Sequence, residues 1–181
     1  MHRFALVLAL AVAALALGGT AAHATACGTT SKCAGHEFWP TIDRANVHIA
    51  GPSGGIMRGP QDSSSELLGF HGSDTLYGGD VGDVLWGDYI GENQPVGQVD
   101  KLYGAGGSDF LYSSHGRNTI DGGPGNDAIK VRYGRGSVNC GSGRDIVYVP
   151  KSRKRNWTFA GCEKFEYRSE SALGHGLKPL P

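Results

Sequence analysis

Between Gly69 and Tyr148 a large aliphatic residue returns at every ninth position with one interruption: Leu76, Leu85, Leu102, Leu111, Ile120, Ile129, Val138 and Val147. Aligned on Gly122-Gly123-Pro124-Gly125-Asn126-Asp127-Ala128-Ile129-Lys130, the pattern reads G-G-x-G-x-D-x-U-x, with U the aliphatic residue at position 8. Position 6 holds Asp74, Asp83, Asp100, Asp109, Asn118, Asp127, Gly136 and Asp145. Position 4 is glycine at 72, 107, 116, 125, 134 and 143, with Val81 and Gln98 as exceptions. A period held in phase through so many copies is the mark of a repeat architecture, in which neighbouring units bury each other's apolar positions.

One copy is irregular. Gly87 to Tyr103 spans 17 residues, eight more than the template, and the excess centres on Glu92-Asn93-Gln94-Pro95. Two repeats in this stretch would place polar Gln94 at an inward position, so an inserted loop is the preferred reading.

The 30 glycines fall mainly between residues 51 and 143, as a succession of tight turns requires. Seventeen basic and seventeen acidic residues cancel, which removes any global electrostatic case for nucleic acid or an anionic membrane. At the N-terminus Arg3 precedes an apolar run from Phe4 to Leu17, followed by A-x-A sites at Ala22-His23-Ala24 and Ala24-Thr25-Ala26. The run is shorter than the ~20 residues a bilayer span needs. It predicts a signal peptide over 1–26, a secreted product, and no stable membrane span after cleavage. Four cysteines in an exported chain favour disulfides, most simply Cys27 with Cys33 and Cys140 with Cys162. Gly51-Pro52-Ser53-Gly54-Gly55 fits G-x-S-x-G, but a nucleophile elbow needs a large α/β sheet for which this chain has no room. No H-E-x-x-H occurs, and no catalytic residues are assigned.

Residues 69–148 resemble the hemolysin-type (RTX) calcium-binding repeat, most closely at 104–112, 122–130 and 140–148. The stretch from Gly122 through Cys140-Gly141-Ser142-Gly143-Arg144-Asp145 to Gly161-Cys162-Glu163 looks like the small secreted RTX-repeat proteins of actinobacteria. The resemblance implies an all-β fold, a parallel β-roll (β-solenoid) over 67–148. Irregular caps are expected at 27–66 and 149–167, with a flexible tail at 168–181. It also implies that six residues turn and three form a strand, that successive turns alternate sides, and that Ca2+ is the cofactor.

In such a roll, turns on the same side stack at the ~4.8 Å strand spacing. A calcium–oxygen bond is ~2.4 Å, so one cation between two stacked turns can draw oxygens from both. One side carries Asp83, Asp109, Asp127 and Asp145, with Gly79, Ala105, Gly123 and Gly141 at position 2. The other carries Asp74, Asp100, Asn118 and Gly136, with Arg117 and Arg135 beside its later turns. The expected calcium ladder therefore lies on the first side, between turns 83/109, 109/127 and 127/145. Its carboxylates would act with backbone oxygens at Gly79, Gly107, Gly123, Gly125, Gly141 and Gly143. A weaker site is expected between Asp74 and Asp100.

Outward positions differ between the two sheets. Strands after the first-side turns show Val84, Phe110, Ala128 and Ile146, with Trp86, Tyr112, Lys130 and Tyr148; the opposite strands show Thr75, Lys101, Thr119 and Ser137. The apolar face calls for cover by a terminal segment, such as Glu37-Phe38-Trp39 or Trp157-Thr158-Phe159, or for a partner. The leading expectation is a secreted calcium-binding module of structural or interaction type. Alternatives are an adhesin-like binder of a glycan, cell wall or extracellular protein through that face, and an accessory fragment of an exported enzyme or toxin.

Overall fold

The computed structural model describes residues 47–89 and 95–168, together with two short strands, β1 (Lys32–Cys33) and β2 (His36–Glu37), that pair antiparallel. The expected signal peptide, the Cys27 to Cys33 pairing, the Phe38-Trp39 segment and the tail beyond Arg168 lie outside the described residues. No helix among the described residues is long and apolar enough to cross a membrane.

From Val47 the chain winds through thirteen strands that fall alternately into two parallel sheets. The seven-stranded sheet holds β3 (Val47–Ile49), β5 (Glu66–Leu68), β7 (Val84–Trp86), β9 (Phe110–Tyr112), β11 (Ala128–Lys130), β13 (Ile146–Tyr148) and β15 (Lys164–Glu166). The six-stranded sheet holds β4 (Ile56–Arg58), β6 (Thr75–Tyr77), β8 (Val99–Tyr103), β10 (Arg117–Asp121), β12 (Arg135–Asn139) and β14 (Trp157–Ala160). The fold is the expected all-β parallel solenoid.

Strands this short are held by register, and the nine-residue period sets it. Ile129 pairs with Leu111 and Val147, and Ile120 with Leu102 and Val138, so identical repeat positions stack within each sheet. Leu76, Leu85, Leu102, Leu111, Ile120, Ile129, Val138 and Val147 all point inward and are buried, forming one core between the sheets. Each contributes roughly 1.5–3 kcal/mol on full burial. The same stacking brings the rings of Trp86 and Tyr112 to 3.7 Å and those of Tyr77 and Tyr103 to 4.9 Å between centroids.

The insertion is visible in the pairing. Leu85 pairs with Leu111 and Leu76 with Leu102, each 26 residues on, whereas Leu111 to Ile129 is the regular 18. The step between β7 and β8 is therefore eight residues longer than the regular one, and pairing resumes in phase after it.

Both flanks of the repeat, expected as irregular, continue the sheets. Val47 pairs with Glu66 and Ile56 with Thr75, a step of 19 rather than 18. That one-residue excess, with His48 at a central strand position, hides these strands from a nine-residue count. Downstream, within the segment expected as an irregular cap, β14 and β15 add a strand to each sheet. This corrects one proposed cover for the apolar face. Trp157 turns inward and joins the core, so the Trp157-Thr158-Phe159 segment extends the opposite sheet instead. The outer face of the seven-stranded sheet is nevertheless buried, from Leu68 through Val84, Trp86, Phe110, Tyr112, Ala128 and Ile146 to Tyr148. The outer face of the six-stranded sheet exposes Lys101, Arg117, Arg135 and Ser137.

Candidate metal centre

The turns that enter the seven-stranded sheet stack along one edge of the solenoid. Their position-6 side chains form a continuous column of fully buried carboxylates, Asp83, Asp109, Asp127 and Asp145. The backbone N–H of Asp83 donates to Asp109 Oδ1 at 2.7 Å, that of Asp109 to Asp127 Oδ1 at 2.9 Å, and that of Asp127 to Asp145 Oδ1 at 2.8 Å. Each residue's carbonyl then accepts from the first strand residue of the next coil, as Asp109 does from the Ala128 N–H at 2.8 Å. Both main-chain groups of every rung are thus occupied by the next coil, the N–H by its acidic side chain and the carbonyl by its first strand residue.

The column is longer than the nonapeptide suggested. Ser65 caps its start, giving both its N–H (2.6 Å) and its hydroxyl (2.8 Å) to Asp83 Oδ1. Glu163 closes its end, its Oε2 accepting from the Asp145 N–H at 2.9 Å. Both stand 18 residues from the nearest rung, so the coil period was the available signal; neither is an aspartate in a glycine-rich copy. The disulfide Cys140–Cys162 holds Glu163 in place by joining the last regular turn to the residue before it.

Asp83 has both oxygens engaged, whereas each of the other three rungs uses only one. Asp83 Oδ2 accepts from the Gly79 N–H at 2.7 Å. Asp109 Oδ2, Asp127 Oδ2 and Asp145 Oδ2 are buried with no hydrogen-bond partner. Asp127 Oδ2 lies 2.3 Å from where a Cβ on Gly122 would stand, and Asp109 Oδ2 the same distance from one on Gly104. A side chain at position 1 would displace the carboxylate. Turn carbonyls crowd the same edge. Ala105 O comes within 2.0 Å of a Cβ built on Gly123, and Gly107 O within 1.5 Å of one on Gly125. These glycines have φ of 95° and 147°, open to glycine and strained for other residues.

Orphaned anionic oxygens are costly in a dry interior, and the titration reflects it. Burial first, then the neighbouring carboxylates, pushes Asp109 up to about 9 and Asp127 to about 7. Burial raises Asp145 as well, with Glu163 adding to the effect. Without a cation these groups favour their neutral form. Among the described residues no three His, Cys, Asp or Glu side chains converge as a preformed cage. A cation here would therefore draw on backbone oxygens beside the carboxylates, a mixture that suits a hard ion such as calcium. The residues present fit that ion: the orphaned Oδ2 atoms of Asp109, Asp127 and Asp145 would hold it together with the turn carbonyls.

The other edge is built differently. Asp100 has both oxygens engaged, Oδ1 by the Asp74 N–H at 2.7 Å and Oδ2 by the Ser114 hydroxyl. Asn118 closes its own turn, accepting from the Ser114 N–H (2.9 Å) and hydroxyl (2.8 Å) and donating to Ser114 O at 3.2 Å. Gly136 supplies no side chain. Of the position-6 residues on this edge, only Asp74 keeps an orphaned oxygen, Oδ1. Asp74 and Asp100 are each raised to about 6, mainly by burial. Sequence reading missed Asp88 on this edge, which sits at a repeat position usually held by a small residue.

Residues 66–88 and 97–129 match the family described as RTX calcium-binding nonapeptide repeat, in four copies. The gap between the two matched segments coincides with the insertion. No curated protein and no solved structure matches the chain.

Proposed function

Because the chain is an RTX-type repeat protein, we propose that it is a secreted, non-catalytic module whose solenoid is ordered by calcium held along the Asp83–Asp145 edge. The observation that carries this reading is the run of buried, partnerless Oδ2 atoms at Asp109, Asp127 and Asp145, stacked against turn carbonyls. Calcium supplies the positive charge that lets these carboxylates ionise in the folded state. Binding free energy then becomes folding free energy. Export would carry the chain to where calcium is abundant, so ordering would follow secretion.

The test is calorimetric titration of calcium into the full chain and two variants. Asp127→Asn removes a rung shared by two neighbours and should abolish most of the heat of binding. Asn118→Ala, on the other edge, should leave it nearly unchanged. Equal losses in the two variants would refute the one-edge reading.

A further inference from the structure

Acidic and basic residues cancel over the chain but not along the solenoid. Residues 47–112 carry nine acids and two bases, whereas residues 113–168 carry five acids and eleven bases. Each coil stacks on the one before it, so this difference in sequence is a difference in position along the axis. Burial sharpens it. Glu66, Asp74, Asp83, Asp100 and Asp109 of the earlier coils are buried, as are Asp127 and Asp145 of the later ones. The later bases mostly stay outside. Arg132, Lys151, Arg153 and Arg155 are exposed, and among the described residues none of these four forms an ion pair. The later coils therefore present a cationic surface, whether ions or protons neutralise the buried column.

A cavity of about 180 Å3 opens on this surface at the exits of β11, β13 and β15. Lys130, Arg132 and Arg168 bring cationic groups to it, and Tyr148, Pro150 and Tyr167 supply apolar walls. No acid among the described residues lines it. Arg168 is already engaged, bound to Glu166 at 2.8 Å. Lys130 is almost buried, its ammonium 5.3 Å from the centroid of the Tyr112 ring. Arg132 is exposed, its guanidinium 5.5 Å from the centroid of Tyr133. Around the half-buried Tyr167, Lys151 and Lys154 hold their ammonium groups 5.8 and 5.2 Å from the ring centroid. The basic 151–155 turn thus continues outward from the cavity wall.

We propose that this cavity and the 151–155 turn beside it bind an acidic polysaccharide, with one uronate sugar seated in the cavity. The volume is below the roughly 300–1,000 Å3 of a small-molecule pocket, so it takes one unit of a longer ligand. Bases strung along the adjoining turn suit a ligand whose charge repeats. The guanidinium fork of Arg132 matches a carboxylate, and tyrosine walls offer a pyranose an apolar face with a polar rim. A phosphate chain would leave those walls unused. This reading goes beyond calcium ordering of the solenoid and does not depend on which turns hold the ion.

Binding of the full chain to immobilised hyaluronan in millimolar calcium, followed by surface plasmon resonance with uncharged dextran as control, tests the proposal. Hyaluronan should bind and dextran should not. Raising salt from about 0.1 M to about 1 M shortens the screening length from ~10 Å to ~3 Å and should weaken binding roughly tenfold. Arg132→Glu should weaken it by a similar factor, whereas Lys101→Glu, the same charge change on the opposite sheet, should leave it unchanged. Calcium titration of Arg132→Glu should match the parent, which separates failure of this site from failure of the ladder. Arg132→Gln, a milder change, is the readout if the reversal fails to fold. Equal losses in the Arg132 and Lys101 variants, or no loss at Arg132, would overturn the site. Dextran binding as tight as hyaluronan, or tighter binding of polyphosphate or polyglutamate, would overturn the assignment to an acidic sugar.

Discussion

Removing calcium should make the stability of the solenoid depend on pH in the sense opposite to ordinary acid denaturation. The groups responsible are Asp109 and Asp127, whose ordinary value of 3.8 is raised by burial to about 9 and about 7. A group whose folded-state pKa is raised supports folding fully below its unfolded value, and that support is lost as pH rises through the folded one. The window therefore runs from about pH 4 to pH 7 for Asp127 and on to pH 9 for Asp109. Each unit of displacement is worth ~1.4 kcal/mol. At pH 8 the two residues together oppose folding by on the order of 5–10 kcal/mol, allowing for their mutual coupling, but by only about 3 kcal/mol at pH 5. Small domains have roughly 5–15 kcal/mol in total, so the difference decides whether the metal-free chain folds. The assay is urea unfolding followed by far-UV circular dichroism on dialysed, disulfide-intact protein at pH 5 and pH 8, with and without calcium. The metal-free chain should resist more urea at pH 5 than at pH 8, and millimolar calcium should reverse the order. Equal metal-free midpoints at the two pH values, or a higher one at pH 8, would refute the account of the buried carboxylates.

Two further outcomes concern the ladder's backbone and its end. Ala105 is the one described non-glycine residue with positive φ, at 72°, and stands at the position glycine holds in the neighbouring turns. Ala105→Gly should relieve roughly 1–2 kcal/mol of strain against ~0.5–1 kcal/mol of added chain entropy, raising Tm in calcium by about 2 °C. A fall in Tm would show that the methyl group contributes packing instead. Replacing both Cys140 and Cys162 with serine opens a closed loop of 22 residues' separation and should cost about 3 kcal/mol in calcium-loaded urea unfolding. Because Glu163 follows Cys162, calcium binding by this variant should weaken too, and unchanged calcium affinity would argue against Glu163 as the closing rung.

The solenoid core was legible because its determinants are local and periodic. Leu111 and Ile129 declare their inward direction through nine-residue spacing alone, and stacking follows from equal coil lengths. The aspartate column was legible for the same reason, since Asp109, Asp127 and Asp145 are 18 residues apart. Where the period slips, legibility ends. One extra residue per coil hid β3 and β4, and the 21-residue step from Ser137 to Thr158 made β14 look like a detached segment.

Sequence by itself therefore determined the fold, the sheet that each strand of the regular repeat joins, and the edge on which the acids lie, because repetition turns local pattern into global position. Tertiary structure alone decided which oxygens are left without partners. Asp100 and Asp127 are the same residue at the same repeat position, yet Ser114 takes the free oxygen of one and leaves nothing for the other. It also decided that Ser65 and Glu163 end the column, and that Asp88 meets Gln98 across the insertion. These contacts join residues of different type at unequal separations, and only closure of the coil brings them within reach.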